Sequence, residues 1–592
     1  MSTRSNPDSH IYDPRLVGAC IMRVHAVMDL RPRAALAILL ERSTTGPQGR
    51  GQVAQPAGAF DVIVLGGGTA GLAAALAAHE HGLSAVLIEK APQLGGISVH
   101  SYGLIWVGGN HLARDIGIDD SREEILAYMR FIGGGQIDDN KMRSFVERSP
   151  EALVFFERCG VPFRLVNGIT DHYYGVAPGS RASGRTLETD LVSGFELGAW
   201  QDKVLRPDDV PTYVTAEEQA AWGGINNVSR WDQMLVAERK SKDLRGKGFG
   251  LITHLLKAVI ARGVPVLLER EVEKLIFNNG RVCGVNLRSG EQFLAAKGVI
   301  LATGGYHANP QLAREFEGLP GMMQEPSSLA PASITGDAIV LGGELGAIVR
   351  KVENNLKFQL AYTIAPARPG DLALCVHAGI VELCSPHTIV VNRDGRRFAD
   401  ETFFQGMAPA LRSYDAIRRR YQNLPAWLIF DHSYASQFSF ANLPAGSPIP
   451  DCVPRAQTLG ELAGLLGVDA DGLLATAERF NMFADVGVDR DFRRGEQKWR
   501  LAGPNQNRSL GQIATPPFYG VELHPTNSNS TGLLTDDVGR VIHQRRHAIP
   551  GLYATGYAAA PTESGIGYQA GILLAASMTY GYLAARDMAG LN

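Results

Sequence analysis

The apolar pattern becomes regular at residue 60. Phe60-Asp-Val-Ile-Val-Leu65 is a run of aliphatic and β-branched residues that predicts a strand buried on both faces. It runs into Gly66-Gly-Gly68-Thr69-Ala70-Gly71. A small-residue helix is predicted over Ala70 to His81, then a second strand over Ala85 to Glu89. Apolar residues at three- and four-residue spacing predict helices over Ser121 to Phe131, Asp139 to Cys159 and Gly248 to Arg262. Residues 264–269 read as a buried strand, and Val272 to Leu287 as a hairpin about Asn278-Asn279-Gly280. A strand from Gly298 ends in Ala302-Thr303-Gly304-Gly305. From about residue 326 the pattern breaks into prolines, aromatic clusters and irregular stretches, with a hairpin predicted over Thr388 to Phe398 and another over Asp536 to Ile542. The last part reads as a strand ending at Gly556, a glycine-rich loop over Glu563 to Gly571, and a helix from Ile572 to Met588.

Chemistry enters at the junctions. A lone GxGxxG is weak evidence, and a glycine-rich turn in another α/β fold is the plain alternative. Here strand, glycines, helix, second strand and terminal acid agree, with Glu89 near the spacing at which an acid accepts from a ribose hydroxyl. Dinucleotide binding is the better reading. The N-terminus of the final helix presents unpaired N–H groups and a partial positive charge, suited to the electron-rich edge of a reduced isoalloxazine.

Composition narrows the remaining classes. A chain of 592 residues exceeds one ordinary core, so more than one domain is expected. A net charge of −3 argues against nucleic acid or an anionic membrane as the main partner. The six cysteines are scattered without CxxC, which fits a reduced, cytoplasmic protein without structural zinc. No run approaches the ~20 apolar residues of a membrane span. Residues 1–58 read as a flexible extension, with a short helix around Ala34 to Arg42 and no signal-peptide pattern.

Several further motifs carry a resemblance: Gly95-Gly96-Ile-Ser98, Trp106-Val-Gly-Gly109-Asn110, Asp171-His-Tyr173-Tyr174 ahead of Gly184-Arg185, Ala302-Thr303-Gly304-Gly305, and Tyr568-Gln-Ala570-Gly571. In this order they resemble the FAD-dependent oxidoreductase family of fumarate reductases and 3-ketosteroid dehydrogenases, over nearly the whole chain from residue 59. The resemblance implies an α/β fold: a Rossmann-like, GR2-type FAD-binding domain with an inserted α+β capping domain. It divides the chain into 59–325 and 515–592 for the cofactor and 326–514 for the cap. It further implies FAD, held non-covalently by Gly66, Gly68, Thr69, Ala70, Gly71, Glu89, Lys90, Gly95, Gly96, Ser98, Ala302, Thr303, Gly304, Gly556 and Ile572. Some members have a histidine linked to flavin nearby; the spacing of His100 from Gly95-Gly96 instead matches the ketosteroid group, where FAD is not covalent.

Two chemistries compete inside that family. Reduction of a dicarboxylate needs cationic groups in the segment after the cap hairpin, in the return segment and in the final loop. This chain has Glu401-Thr-Phe-Phe-Gln405, Asn527 to Thr531 and Gly567-Tyr568-Gln569 there, with His524 out of register. Desaturation beside a ring ketone needs neutral donors at the ketone oxygen, a weak base for the α-proton and the β-hydrogen placed over flavin N5. Within the ketosteroid group, members acting at the 1,2 bond have Tyr-x-x-x-Gly and those acting at the 4,5 bond Tyr-x-Ser-Gly. Tyr568-Gln-Ala570-Gly571 is similar to the second, with Ala570 in the place of serine. The resemblance assigns Tyr568 to the α-proton or the ketone oxygen, the Gly571 N–H to the oxygen, and Tyr173 to a relay or the pocket wall; Tyr362 and Tyr306 are further candidates. The substrate is expected to be a small hydrophobic cyclic ketone, a 3-ketosteroid or a similar ring. A monocyclic ketone such as 4-oxocyclohexanecarboxylate is the alternative, for whose carboxylate Arg185 and Arg368 are candidates, plain surface arginines being the default reading. A fumarate-type reductase and a non-catalytic flavin-binding protein are the other readings. The electron acceptor is left open among a quinone, an electron-transfer protein and oxygen.

Overall fold

The computed structural model describes residues 56–207, 210–224, 231–319, 330–353, 360–364, 375–378, 380–441, 443–496, 509–525 and 530–591. The expected N-terminal extension lies outside them up to residue 55, as does Arg368.

One sheet places the glycine motifs together through its register. The first strand, Pro56–Leu65, starts earlier than the apolar run because its N-terminal half also pairs in parallel with Gln292–Leu301. Its last residue, Leu65, stands opposite Leu301 on one side and Ile88 on the other. Leu301 in turn stands opposite Ala554 of the strand Ala548–Ala554. All four strands run in the same direction, so the residues that follow each of them emerge at one carboxyl edge: Gly66, Glu89, Ala302 and Thr555. Ligands of open parallel sheets bind outside that edge.

The helix Thr69–Glu80 begins at this edge and is buried along nearly its whole length. Its alanines have a packing reason. The final helix, Ile572–Ala589, lies against it so closely that a Cβ on Gly581 would stand 3.1 Å from Ala70 O and from Ala74 N. Burial of Leu72 and Leu76 in the same core contributes on the order of 1.5–3 kcal/mol each. The hairpin Val272–Asn278 and Arg281–Leu287 forms as expected, with Asn279 and Gly280 at φ 49° and 76°, the backbone a tight two-residue turn demands. Residues 264–269 give only a two-residue strand, Val266–Leu267, half-buried rather than buried. It is the terminal strand of this sheet among the described residues and has a neighbour on one side only.

A second sheet, antiparallel at every pairing among the described residues, runs in the order Cys375–Ala378, Leu360–Ile364, Phe518–Pro525, Ala426–Asp431, Thr388–Asn392. Two expectations change here. Thr388–Asn392 pairs along its length with Ala426–Asp431, and the expected hairpin is reduced to its turn, where Asn392 N–H donates to Arg396 O and Gly395 N–H to Asn392 O, both at 3.0 Å. Arg397 is drawn instead into a buried ion cluster with Glu401 and Asp489, while the fully buried strand Ala426–Asp431 offers the better apolar partner. Phe518–Pro525 belongs to this sheet, whereas the sequence reading returns the chain to the cofactor module at 515.

Candidate active site

The carboxyl edge of the first sheet is built by close approach. At Gly66, with φ 106°, a Cβ would stand 2.3 Å from Ala302 O, and at Gly71 it would stand 1.8 Å from Gly66 O. The loop at 95–98 docks on the first one: Gly95 N–H donates to Gly67 O at 2.9 Å, and Thr69 N–H points to Ser98 Oγ at 3.4 Å. Gly68 faces Gly95 O and Ser98 Oγ, Gly556 approaches Ala70, and Gly304 turns the other strand end at φ 75°. Glu89 accepts from Gly67 N–H at 2.7 Å and from Ala91 N–H at 2.8 Å; burial pushes its carboxyl up, and those two bonds work against the shift. Lys90 turns to Asp337, at 2.7 Å, and to Thr335, at 2.6 Å. Gly96 closes the 95–98 turn with open space at its would-be Cβ.

Two hydroxyls test whether this edge fits a dinucleotide. Thr69 Oγ1 and Thr303 Oγ1 are buried and have no hydrogen-bond partner among the described residues. Leaving such groups unpaired costs about 1–3 kcal/mol each. They flank the N-terminus of a twelve-residue helix, where N–H groups and the helix dipole favour phosphate. The donor set fits a pyrophosphate-bearing cofactor.

The second half of the site is the loop before the final helix. Its glycines let it press on the helix Arg122–Gly133: a Cβ on Gly565 would stand 2.5 Å from Gly133 O, and one on Gly567 would stand 2.4 Å from Ile132 O. Gly571, at φ 89°, caps the helix Ile572–Ala589, and a Cβ there would meet Trp106 N at 2.6 Å and Leu104 C at 3.0 Å. Ile572 opens that helix, its N–H donating to Gln569 O at 3.2 Å. Glu563 is fixed by the buried Lys141, 3.3 Å away.

Between these points Tyr568 is held by neutral groups. Gln569 is fully buried, and its Oε1 accepts from the Tyr128 hydroxyl and, at 2.9 Å, from His172 N–H. The His172 Nε2 accepts from Ala570 N–H at 3.3 Å, so the imidazole carries its proton on Nδ1; burial holds its pKa well below the usual histidine value. Its ring lies 5.0 Å from that of Tyr568. Burial pushes the Tyr568 phenol up to about 12 and the Tyr173 phenol up to about 12, the latter opposed by its hydrogen bond to the Tyr568 backbone. Phe403 meets Tyr173 edge to face at 5.3 Å. The segment in which a dicarboxylate reductase would carry a cation therefore supplies an aromatic wall.

The charged residues nearby are engaged elsewhere. Arg185 is buried against Asp120 and Asp171, each at 2.7 Å, and Asp171 also accepts from Trp106 Nε1 at 2.8 Å. Arg185 is thus a structural cation and not a carboxylate anchor. Tyr306 and Tyr362 are fully buried and donate to Glu317 and Glu382, both at 2.6 Å.

A family model described as FAD binding domain matches residues 61–572. This chain belongs to the FAD-binding family. As a flavoprotein it is 35% identical to 4-oxocyclohexanecarboxylate 2-dehydrogenase of Sinomonas cyclohexanicum, over 91% of this chain and 94% of the relative. It is 32% identical to 3-oxosteroid 1-dehydrogenase of Mycobacterium tuberculosis, over 90% and 98%. Among solved structures, 3-ketosteroid Δ1-dehydrogenase from Sterolibacterium denitrificans in complex with 1,4-androstadiene-3,17-dione superposes with a TM-score of 0.79 at 28% identity, covering 90% of this flavoprotein and all of that chain. No described helix is long and apolar enough to cross a membrane, and no described group of His, Cys, Asp and Glu could hold a metal ion.

Sequence reasoning passed over four residues that the structure places beside the Tyr568 loop or the sheet edge. His172 lies inside the Asp171-His-Tyr173 motif, and Tyr557 directly follows Gly556. Tyr557, whose phenol burial and the neighbouring Tyr568 push up, stacks edge to face on His307 at 5.3 Å. Gln569 sits beside the loop's tyrosine and Tyr102 beside Gly103, whose Cβ would stand 2.1 Å from Lys247 C. Adjacency to the glycine motifs was the available signal for Tyr102 and Tyr557.

Proposed function

We propose that this flavoprotein introduces a C=C bond α,β to a ring ketone, with Tyr568 as the base for the α-proton. The observation that carries the reading is the neutral surround of Tyr568: phenols, an amide and an uncharged imidazole, with the nearby arginine locked to two aspartates. Such a corner suits a developing enolate, which needs donors without a fixed counter-charge, and ill suits a dicarboxylate. FAD, when bound, supplies the acceptor for the β-hydride. Gly66, Gly68, Gly71, Ser98, Thr69 and Thr303 would hold it at the sheet edge. Gly571 gives the N–H at the start of the final helix for the ketone oxygen, and Tyr173 with Phe403 lines the pocket. Tyr568 acts in its phenolate form, scarce at neutral pH because burial raises the phenol, so the rate of flavin reduction climbs from pH 7 toward the phenol's titration.

The substrate is a hydrophobic cyclic ketone. The commitment of Arg185 favours a ring without a carboxylate, such as a 3-ketosteroid. The 35% identity to a 4-oxocyclohexanecarboxylate 2-dehydrogenase supports the monocyclic reading as the second one. The purified, aerobically yellow protein is mixed anaerobically with a saturated 3-ketosteroid and, separately, with 4-oxocyclohexanecarboxylate. Bleaching of the flavin band by the steroid alone supports the first reading, and by the carboxylate alone the second. Bleaching by neither, together with reoxidation of a reduced dye by an activated alkene, overturns ketone desaturation.

A further inference from the structure

Beneath the Tyr568 corner lies a buried lysine that the proposed reaction does not use. Lys247 is 1% exposed and opens the helix Lys247–Ala261 with a left-handed backbone, φ 55°. The energetic cost of that conformation in a non-glycine residue calls for a compensating contact. Its Nζ donates to Gln219 Oε1, itself buried, and this turns the amide nitrogen toward Tyr102, to whose hydroxyl it donates at 3.2 Å. The same Nζ lies 4.6 Å from the centroid of the Tyr102 ring. One lysine therefore engages Tyr102 twice, through the amide and across the ring face.

Tyr102 stands where this matters. It follows Gly95-Gly96-Ile-Ser98 at the sheet edge and precedes residues 104–106, on whose backbone Gly571 closes. It packs beside Leu104 and Ala570, and it acts electrostatically on Tyr568. We propose that Tyr102 is a further substrate-facing phenol that donates a hydrogen bond to the ketone oxygen, and that Lys247, acting through Gln219, is the positioning residue that polarises it. No bond is made or broken at Tyr102. A phenol whose oxygen accepts from an amide donates its own proton more strongly, because hydrogen bonds in a chain polarise one another. An ammonium facing the ring adds to this by favouring the developing negative charge on oxygen. Burial lowers Lys247 to about 7, opposed by Glu188, so the device changes strength near neutral pH. Glu188 is paired with Arg164 and Asp243 with Arg245, so neither carboxylate neutralises the lysine outright.

The inference rests on the ketone-dehydrogenase reading, and its test separates the two. Holoenzyme is prepared as wild type, Tyr102→Phe, Lys247→Met, Gln219→Leu and the Tyr102→Phe/Lys247→Met pair, each checked for FAD content. Flavin reduction by a saturating ring ketone is followed across pH 6 to 9, and tyrosinate formation is titrated in the ultraviolet without ketone. The expected results are a loss of about tenfold or more for Tyr102→Phe, a smaller loss for Lys247→Met and Gln219→Leu, and less than twofold further loss when Lys247→Met is added to Tyr102→Phe. In the ketone-free titration the tyrosinate step that Tyr102→Phe removes moves to higher pH in Lys247→Met and Gln219→Leu. Tyr102→Phe within twofold of wild type, or losses that multiply in the pair, would overturn the inference. A wild type that no ketone reduces would overturn the function itself, whatever the titration shows.

Discussion

Two buried polar networks of this flavoprotein make opposite use of charge. In the cap region Arg397 is bound by both nitrogens to Glu401, at 2.7 Å each, and reaches Asp489 at 2.9 Å, while Arg494 lies 3.1 Å from Glu401. Burial would raise the Glu401 carboxyl, yet Arg397 and Arg494 outweigh it and hold it below the ordinary range. In the Tyr568 corner the polar groups are a phenol pair, an amide and a neutral imidazole, with burial pushing the phenols and the imidazole away from their charged forms. The first network fixes shape through compensated charge. The second surrounds Tyr568 with neutral donors, so that negative charge appears there only as the phenol ionises or the enolate develops, the condition under which a weak donor distinguishes an enolate from a ketone.

The largest effect that would break this contrast is in the cap. Arg397→Met leaves a buried carboxylate short of a partner and is expected to cost on the order of 3–5 kcal/mol in a denaturant melt. A cost below about 1 kcal/mol would mean the cluster is relaxed and wet. Next, Gly571→Ala forces a left-handed alanine against Trp106 N and is expected to destabilise the loop by about 1–3 kcal/mol, read as lowered FAD retention after gel filtration.

The two networks also part along the pH axis. Because the folded pKa of His172 lies below its unfolded value, its contribution to stability is complete above about pH 6.5 and declines as pH falls. That of Glu401, depressed likewise, is complete above about pH 4.5 and declines only below it. His172→Gln, which keeps an acceptor for Ala570 N–H, is expected to flatten the melting temperature between pH 6.5 and 5, and Glu401→Gln to leave that slope alone. The smallest effect belongs to Gly280→Ala in the hairpin turn at φ 76°, about 1 kcal/mol of stability with unchanged flavin reduction.

The sheet edge was legible in the sequence because each of its motifs is local: a strand, then a glycine required by positive φ or by backbone 2–3 Å away. Parallel register then aligned motifs hundreds of residues apart without further information. The Tyr568 corner was legible only in its loop. Gln569 meets Tyr128 and His172 across 441 and 397 residues of chain, and no local period records such pairs. Arg185 was misread as available for a substrate because its partners Asp120 and Asp171 come from two separate loops. The hairpin at Thr388 to Phe398 forms only its turn for a related reason: a strong local turn at Asp394-Gly395 said nothing of the ion cluster that claims Arg397.

The most direct test of the account is single-turnover flavin reduction in Tyr568→Phe, using the ketone that bleaches wild type. With FAD fully bound, the rate is expected to fall by on the order of a hundredfold or more, the usual worth of a positioned proton acceptor. A variant that keeps its flavin and at least about a third of the wild-type rate would contradict the assignment of the α-proton to this phenol.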